Sequence, residues 1–578
     1  MKNNDLNNSK SKRKVADISK QTIKFFYKMG EKLDFNNLLL IWKNFATQYN
    51  IPWKNSFLQW ELPANVSADF ALTLALPISH KTKRNPQEIA QEIIKITNYP
   101  NLEGNITKQG YINFRFPTNY YQKFLTETLA QEGQNLQGEK KNIHLNIEYV
   151  STNPTGYLHL AHFRHAVIGS ALANVYQFSG YQITREYYIN DRGGQIISLI
   201  NSVYHFYHTL QGISPHANSE KIEYSGQSSQ EVAKILVKKW GDKYINKELN
   251  EEEFDLWKRE VLSLVLHKIR QDLAKCGINF DIWFSESSLY DKNKHRKLLT
   301  ELKEKKLTYL QEGATFFRSS LGGDDKDRVI IKQDGDYTYF FSDILYHQDK
   351  LQRADKLINI LGADHHGYIE RIKSACQLLG HKREAIQIIL VQIVNLLTKE
   401  GGTARFSKRS GNTIELEETL KYMDMDQLKF FLLEKDPNQP ISINTELLKE
   451  NKEKTRLYYI QYAHARCHQI FHKAQEKEIA KISSNIDLLK EKNERDIFKL
   501  LVQFSFVLEN IVAENKPHYL INYLYELARF WQIYYQNNII LEQENPELTA
   551  QKLLLVKNIQ IILKLGLGLI GIEAPERM

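Results

Sequence analysis

The spacing of apolar side chains changes along the chain, and each change marks a new kind of element. From about residue 20 to 135, helical and strand-like stretches alternate. Asn85-Pro86-Gln87-Glu88-Ile89-Ala90 reads as a helix start, with proline at an early position and apolar residues following at helical spacing. Gly110–Phe116 alternates and predicts a strand, and Gln131–Lys141, polar with two glycines, reads as a linker. Ile143–Tyr149 alternates again. A Pro/Gly turn follows, then a helical stretch over Ala161–Phe178, closed by Gly180, and then a strand over Tyr181–Tyr188. Strand, turn, helix, strand is a βαβ unit, the start of a doubly wound parallel sheet. Residues from about 196 to 275 read mostly as helices, and strand-like pieces return at Arg328–Lys332, Thr338–Phe341 and Leu357–Leu361. From about 415 onward the period is almost wholly helical, with amphipathic stretches at Gln461–Lys473, Arg495–Asn515 and Gln551–Leu569.

These patterns predict four parts. A flexible basic tail spans residues 1–20, and an α+β domain spans 21–135. An α/β domain built on a doubly wound parallel (Rossmann-like) sheet spans 136–415, with a helical insertion at about 196–290. An all-α bundle spans 416–578. A length of 578 residues suits that division, at roughly 100–200 residues per domain.

Composition narrows the picture only a little. Hydrophobic residues make up 42% and charged residues 25%, which is ordinary for folded domains. The formal charge of +9 permits a polyanionic partner without demanding one. Cys276, Cys376 and Cys467 lie far apart with no Cys/His cluster, so a disulfide framework and a structural zinc are not expected, and a reducing cytoplasm fits. No apolar run is long enough to cross a membrane, and the polar, basic start has no apolar core of the secretory kind.

Two stretches carry candidate chemistry. The first runs from Glu148 to His162 and sits where an open α/β sheet binds its ligand, at the carboxyl end of a strand and just before a helix. Free N–H groups and the helix dipole there suit phosphate. His159 and His162, three residues apart, share one face of a helical turn and offer further N–H donors. Taken alone, the pair also fits two solvated histidines on a turn. The second stretch, Gly401–Asn412, is glycine-rich and holds Arg405, Ser407, Lys408 and Arg409. Such a loop can close over a triphosphate and neutralise charge developing on the departing pyrophosphate; in isolation it also fits a solvated loop or one touching RNA phosphate.

The stretch around His159 and His162 resembles the HIGH signature of class I aminoacyl-tRNA synthetases. Its extension by Asn153-Pro154-Thr155-Gly156 and by Arg185–Asp191 looks like the arginyl branch of that class. The loop resembles the KMSKS signature: Lys408 matches its second lysine, while Arg405 and Phe406 replace its first lysine and methionine. Where this chain has Ala161 the family has a glycine that leaves room for the adenine base. The resemblance implies that Gly362, Asp364 and His366, in Gly362-Ala363-Asp364-His365-His366-Gly367, border the ATP ribose and base. A metal cluster is the less favoured reading of those residues. It implies that Tyr339 and Asp343 meet a substrate guanidinium and that Glu148 and Asn153 hold the α-amino and carboxylate end. For Tyr339 a core aromatic, and for Asp343 a helix N-cap, are the competing readings. Finally, it implies an anticodon-binding bundle in which Tyr459, Arg466, Tyr534, Tyr535 and Met578 are candidates for base contacts, against the plainer reading of tyrosines as core.

The expectation is therefore a cytoplasmic, monomeric ligase. It activates L-arginine with ATP, accompanied by Mg²⁺, and passes it to the 2′-hydroxyl of the terminal adenosine of an arginine tRNA, with no structural metal and no membrane. The rivals are a class I synthetase of another specificity, a non-catalytic tRNA-binding relative, and a small-molecule nucleotidyltransferase sharing the phosphate site.

Overall fold

The structure, a computed structural model, describes residues 35–60, 66, 68–97, 99, 101–213, 222–290, 292–397, 403–404, 416–421, 423–443, 455–479 and 481–578. The expected tail at 1–20 and the loop residues Arg405, Ser407 and Lys408 lie outside them. The chain forms two compact units. One comprises Met1–Gln131, Ile479–Val502 and Ile540–Asn558, and the other Glu132–Glu478, Gln503–Ile539 and Ile559–Met578.

In the first unit, helix α1 (Phe35–Gln48) precedes strands β1 (Leu58–Gln59) and β2 (Phe70–Leu72). Helices α2 (Ala75–Thr82) and α3 (Pro86–Thr97), strands β3 (Glu103–Ile106) and β4 (Ile112–Arg115) and helix α4 (Thr118–Ala130) follow. The sheet is antiparallel, in the order β1-β2-β4-β3. Its core is aromatic: Phe70 stacks on Phe114 at 5.3 Å between ring centroids, and Trp42 lies 5.3 Å from the same ring. Asp69 is fully buried in this unit. Its carboxylate accepts the Phe116 N–H at 2.6 Å and is neutralised by Arg495 Nη2 at 2.8 Å. A buried charge needs such a partner. Residues 479–502, which fall by sequence in the expected helical bundle of 416–578, thus group with the N-terminal sheet.

The second unit holds a five-stranded parallel sheet. In chain order, β5 (His144–Glu148) leads into α5 (Leu160–Phe178), β6 (Gln182–Ile189), α6 (Gly194–Thr209), α7 (Gln227–Trp240), α8 (Glu251–Lys275) and β7 (Ile282–Ser285). Helix α9 (Lys292–Glu304) and an antiparallel sheet of β8 (Thr308–Gln311), β9 (Ala314–Phe317) and β10 (Arg328–Ile331) come next. Helix α10 (Tyr339–Arg353), β11 (Lys356–Gly362), α11 (Tyr368–Leu378) and β12 (Ile386–Val391) complete the sheet, whose order is β12-β11-β5-β6-β7. All its pairings are parallel. From β5 the chain moves one way to β6 and β7, then returns to the other side of β5 as β11. The crevice beyond the carboxyl ends of β5 and β11 is therefore the topological switch point, the place where such sheets bind ligands.

Several expectations need amending. Residues 282–285, placed by sequence inside the helical insertion, form β7 and pair with β6. Thr338–Phe341, expected as strand, caps and begins α10. Its β-favouring side chains are overruled because Phe340, Phe341, Ile344 and Leu345 recur at helical spacing and fill the core. The expected linker is held down: Gly138 N–H bonds the Phe178 carbonyl at 2.9 Å, and Lys141 N–H bonds that of Gly180 at 2.7 Å. Gly180 has φ +90°, and a Cβ there would fall 1.9 Å from the Glu139 carbonyl oxygen, so only glycine fits at the end of α5. The C-terminal part adds α12 (Leu416–Thr419), α13 (Met425–Leu433), α14 (Arg456–Glu476), α15 (Lys492–Glu514), α16 (His518–Asn537) and α17 (Pro546–Leu569), of which α14 packs on α16.

Candidate active site at the switch point of the parallel sheet

Strand β5 ends at Glu148, and the chain turns sharply there. Val150 and Ser151 have φ of +71° and +37°, left-handed conformations that cost a β-branched residue free energy and are held by their surroundings. The turn brings the Ser151 hydroxyl to donate to Glu148 Oε1 at 3.0 Å and to accept the Tyr188 N–H at 3.1 Å. Asn153 is set by two side chains: Asn190 Nδ2 donates to its Oδ1 at 2.7 Å, and its own Nδ2 donates to Gln195 Oε1 at 2.8 Å.

His159 is the N-cap of α5, a helix of 19 residues. The His162 Nδ1 accepts the His159 N–H at 3.3 Å, its Nε2 lies 3.0 Å from Thr152 Oγ1, and the two imidazoles stack with centroids 3.6 Å apart. In the neutral ring this assigns the proton to Nε2. The pair thus sits at the positive end of a long helix at the switch point, where a polyphosphate is favoured. Ala161 stands between them, partly buried. Two residues past His162, Arg164 is wholly buried and donates to the carbonyls of Gln392 at 2.8 Å and Asp436 at 3.1 Å, pinning α5 to the chain that follows β12 and α13.

The other lip of the crevice is the end of β11. Gly362 is pressed close, since a Cβ there would lie 2.6 Å from Asp364 Oδ1. Asp364 and His366 are exposed. Burial and the Arg164 charge push the His165 pKa down to about 4, with Asp364 acting in the opposite direction. The Asp364 carboxylate is therefore within electrostatic reach of α5.

Helix α10 bears Tyr339 and Asp343. Tyr339 is 69% exposed, so it is not a core aromatic, and Thr338, not Asp343, caps the helix. Asp343 is pushed up to about 7, first by burial and then by the charges of Glu286 and Glu148, against a hydrogen bond from Tyr368. Glu286, just past β7, was not among the residues singled out by sequence. It is buried; Oε1 accepts the Tyr290 hydroxyl at 3.2 Å, and Oε2 meets no partner among the described residues. Burial, ahead of the Asp191 charge, raises its pKa. The signal that finds it is an acidic residue one step beyond a strand of the central sheet, and it was hidden by reading that strand as part of the insertion. Glu148, Asp343 and Glu286 thus converge at one end of the crevice. A permanently charged, multi-donor group such as a guanidinium complements them.

The helical candidates separate by exposure. Tyr459 is partly buried, 5.6 Å from the Tyr525 ring. Arg466 lies over the rings of Tyr462 at 4.5 Å and Tyr535 at 4.4 Å and donates to Gln532 Oε1 at 2.8 Å. Met578 is exposed at the end of a tail pinned by Gln461 to the Glu573 carbonyl and by His464 to that of Pro575. Tyr534 is fully buried, which corrects its candidacy: its ring fills the core and cannot stack on a base.

A histidine pair at a helix N-terminus by the switch point of a parallel sheet, with buried carboxylates and a helical C-terminal part, is the arrangement of a class I aminoacyl-tRNA synthetase. Residues 124–466 match the family model described as the catalytic domain of class I (R) tRNA synthetases. Residues 49–116 match the arginyl-tRNA synthetase N-terminal domain, and residues 460–578 the DALR anticodon binding domain. The chain is 36% identical to the arginine–tRNA ligases of Listeria welshimeri, over 519 residues, and Geobacillus kaustophilus, over 522 residues; each match covers 88% of this chain and 92% of the relative. The arginyl-tRNA synthetase of Thermus thermophilus shares the fold, with a TM-score of 0.72 at 18% identity over 94% of this chain and all of that one. The chain belongs to the arginyl-tRNA synthetase family, and it ligates arginine to tRNA.

Proposed function

We propose that Glu148, Asn153, Tyr339, Asp343 and Glu286 bind L-arginine and that the His159–His162 pair binds the ATP phosphates. Asp343 and Glu286 meet the guanidinium with Tyr339 closing over it, and Glu148 and Asn153 hold the α-amino and carboxylate groups. The arginine carboxylate then attacks the α-phosphate of ATP, which enters with Mg²⁺, giving arginyl-adenylate and pyrophosphate. The 2′-hydroxyl of the terminal adenosine of an arginine tRNA then takes the arginyl group. No protein nucleophile is required; the side chains orient the reactants and stabilise charge. Gly362, Ala161, Asp364 and His366 flank the base and ribose, and Arg405, Ser407 and Lys408 close on the phosphates. Tyr459, Arg466, Tyr535 and Met578 face the anticodon. We further propose a cytoplasmic monomer.

The observation that carries this reading is the grouping of Glu148, Asp343 and Glu286 within electrostatic reach of one another, with Glu148 at the same switch point as the histidine pair. ATP–pyrophosphate exchange with each amino acid, in the presence of tRNA, tests it. Exchange with arginine alone is expected, and it is expected to fall sharply in Asp343→Asn and Glu286→Gln. Normal arginine kinetics in both variants would overturn the pocket assignment.

A further inference from the structure

Among the groups around the site is a buried cation that is not a candidate for binding any substrate. Lys350 lies on α10 and is entirely buried. Its Nζ donates to Glu148 Oε2 at 2.6 Å and to Asn359 Oδ1 at 2.9 Å, and it sits 4.2 Å from the centre of the Tyr346 ring. Asn359 is fixed in turn, because its Nδ2 faces His347 Nε2 at 2.7 Å. His347 Nδ1 lies 2.8 Å from the Asp343 carbonyl. Burial and the Lys350 charge hold His347 far below its ordinary pKa, so the ring is neutral: Nδ1–H donates to that carbonyl and Nε2 accepts from Asn359. One unbroken chain of hydrogen bonds therefore runs from the backbone of Asp343 to the carboxylate of Glu148.

The helix geometry explains the reach. Tyr339, Asp343, Tyr346 and Lys350 recur at intervals of four, three and four residues and so line one stripe of α10. Asp343 and Lys350 are two turns apart, about 10 Å along the axis, and side chains lean toward the helix N-terminus, so the lysine stem brings its charge back toward the pocket. The other Glu148 oxygen is taken by the Ser151 hydroxyl on the strained turn after β5. With Ser151 on one side and Lys350 on the other, Glu148 has one orientation.

We propose that Lys350 is a positioning residue of the amino-acid site, an internal cation that fixes the Glu148 carboxylate and ties it to the helix bearing Tyr339 and Asp343. The two ends of the substrate are then held at a set spacing. The inference rests on the reading that Glu148 receives the α-amino group. A buried ion pair contributes little net stability compared with an apolar pair of similar shape, so stability alone does not account for Lys350.

The test uses the full chain and calorimetric titration with two ligands, L-arginine and its des-amino analogue 5-guanidinopentanoate. Lys350→Met keeps the stem and removes the charge. It is expected to weaken arginine binding about tenfold or more, close to 1.4 kcal/mol, while the analogue changes less than about twofold. Glu148→Gln sets the benchmark. If it erases the preference for arginine and Lys350→Met does not, Lys350 has no positioning role and Glu148 keeps its own. If neither variant alters the preference, the reading of Glu148 fails and the proposal with it. Equal loss of both ligands in Lys350→Met marks a purely structural residue and also overturns the proposal. The double variant Glu148→Gln/Lys350→Met leaves no uncompensated charge, so it guards against misfolding of the single one. Adding Lys350→Met to Glu148→Gln is expected to cost no further arginine affinity, and an additional loss counts against the coupling.

Discussion

The imidazole of His162 stacks on that of His159 while its Nδ1 holds the His159 backbone N–H. The two residues thus form one unit at the start of α5. His159→Ala and His162→Ala are each expected to slow adenylate formation about 100-fold, the range seen when a donor to developing charge is lost. The double variant is expected to be little worse than either single one, because each removal already disturbs the other ring. Single-turnover adenylate formation measures this. Multiplying losses would show that the rings act independently.

Asp343 carries a second consequence. Its pKa in the free pocket is about 7, raised chiefly by burial. A guanidinium favours the ionised form, so arginine binding displaces the proton. Below pH 7 only the ionised fraction is competent to bind, and that fraction grows as pH rises. The apparent Kd for arginine is therefore expected to weaken about tenfold from pH 8 to pH 6. Titration in buffers of different ionisation enthalpy at pH 7 should register proton release, and Asp343→Asn should abolish it. Proton uptake, or a flat profile, contradicts the assignment.

Much of this site is legible in the sequence, for a local reason. At β5 and α5 the apolar period switches from two to about 3.6 across a Pro/Gly turn, and that switch alone puts Glu148 at a strand end and His159 and His162 at the start of the next helix. Glu286 escapes because β7 is only four residues long and reads as part of the helices before it. The start of α10 escapes because Tyr337-Thr338-Tyr339-Phe340-Phe341 favours strand locally, and only burial of Phe340, Phe341, Ile344 and Leu345 makes it helix. The grouping of residues 479–502 with the N-terminal sheet depends on Arg495 meeting Asp69, 426 positions away, which no local pattern encodes.

The loop residues rest on sequence alone. Lys408→Ala is expected to slow adenylate formation by two orders of magnitude or so, the scale of a lost transition-state charge, while tRNA affinity changes far less. Pyrophosphate exchange and filter binding of tRNA, run side by side, check this. Equal loss in both would recast the loop as an RNA contact.

Gly169 is a packing constraint on the same helix. A Cβ at that position would fall 2.2 Å from the Tyr149 ring, so the ring lies directly against the α5 backbone. Gly169→Ala forces one or the other to move, and such overpacking costs about 1–3 kcal/mol. Since Tyr149 directly follows Glu148, the variant is expected both to unfold at a lower temperature and to raise the KM for arginine. Gly568→Ala, on α17 with open space around the added methyl, is the control: alanine favours helix over glycine, so the unfolding temperature should not fall and the KM should stay unchanged.

Tyr534 and Tyr535 are neighbours in sequence with different surroundings. Tyr534 is fully buried, with its ring centroid 6.3 Å from that of Trp531. Tyr535 is partly buried and lies 4.4 Å from the Arg466 guanidinium. Removing a buried aromatic leaves a cavity, so Tyr534→Ala is expected to destabilise the fold by about 3–5 kcal/mol. Tyr535→Ala removes a stacking platform and frees Arg466, which costs about 1–3 kcal/mol if a base stacks there. Its effect should appear in tRNA binding, with little change in melting temperature and none in the KM for arginine. Denaturant melts and tRNA titrations on both variants separate the two. A Tyr535→Ala protein that binds tRNA normally would remove the Arg466–Tyr535 pair from the anticodon surface.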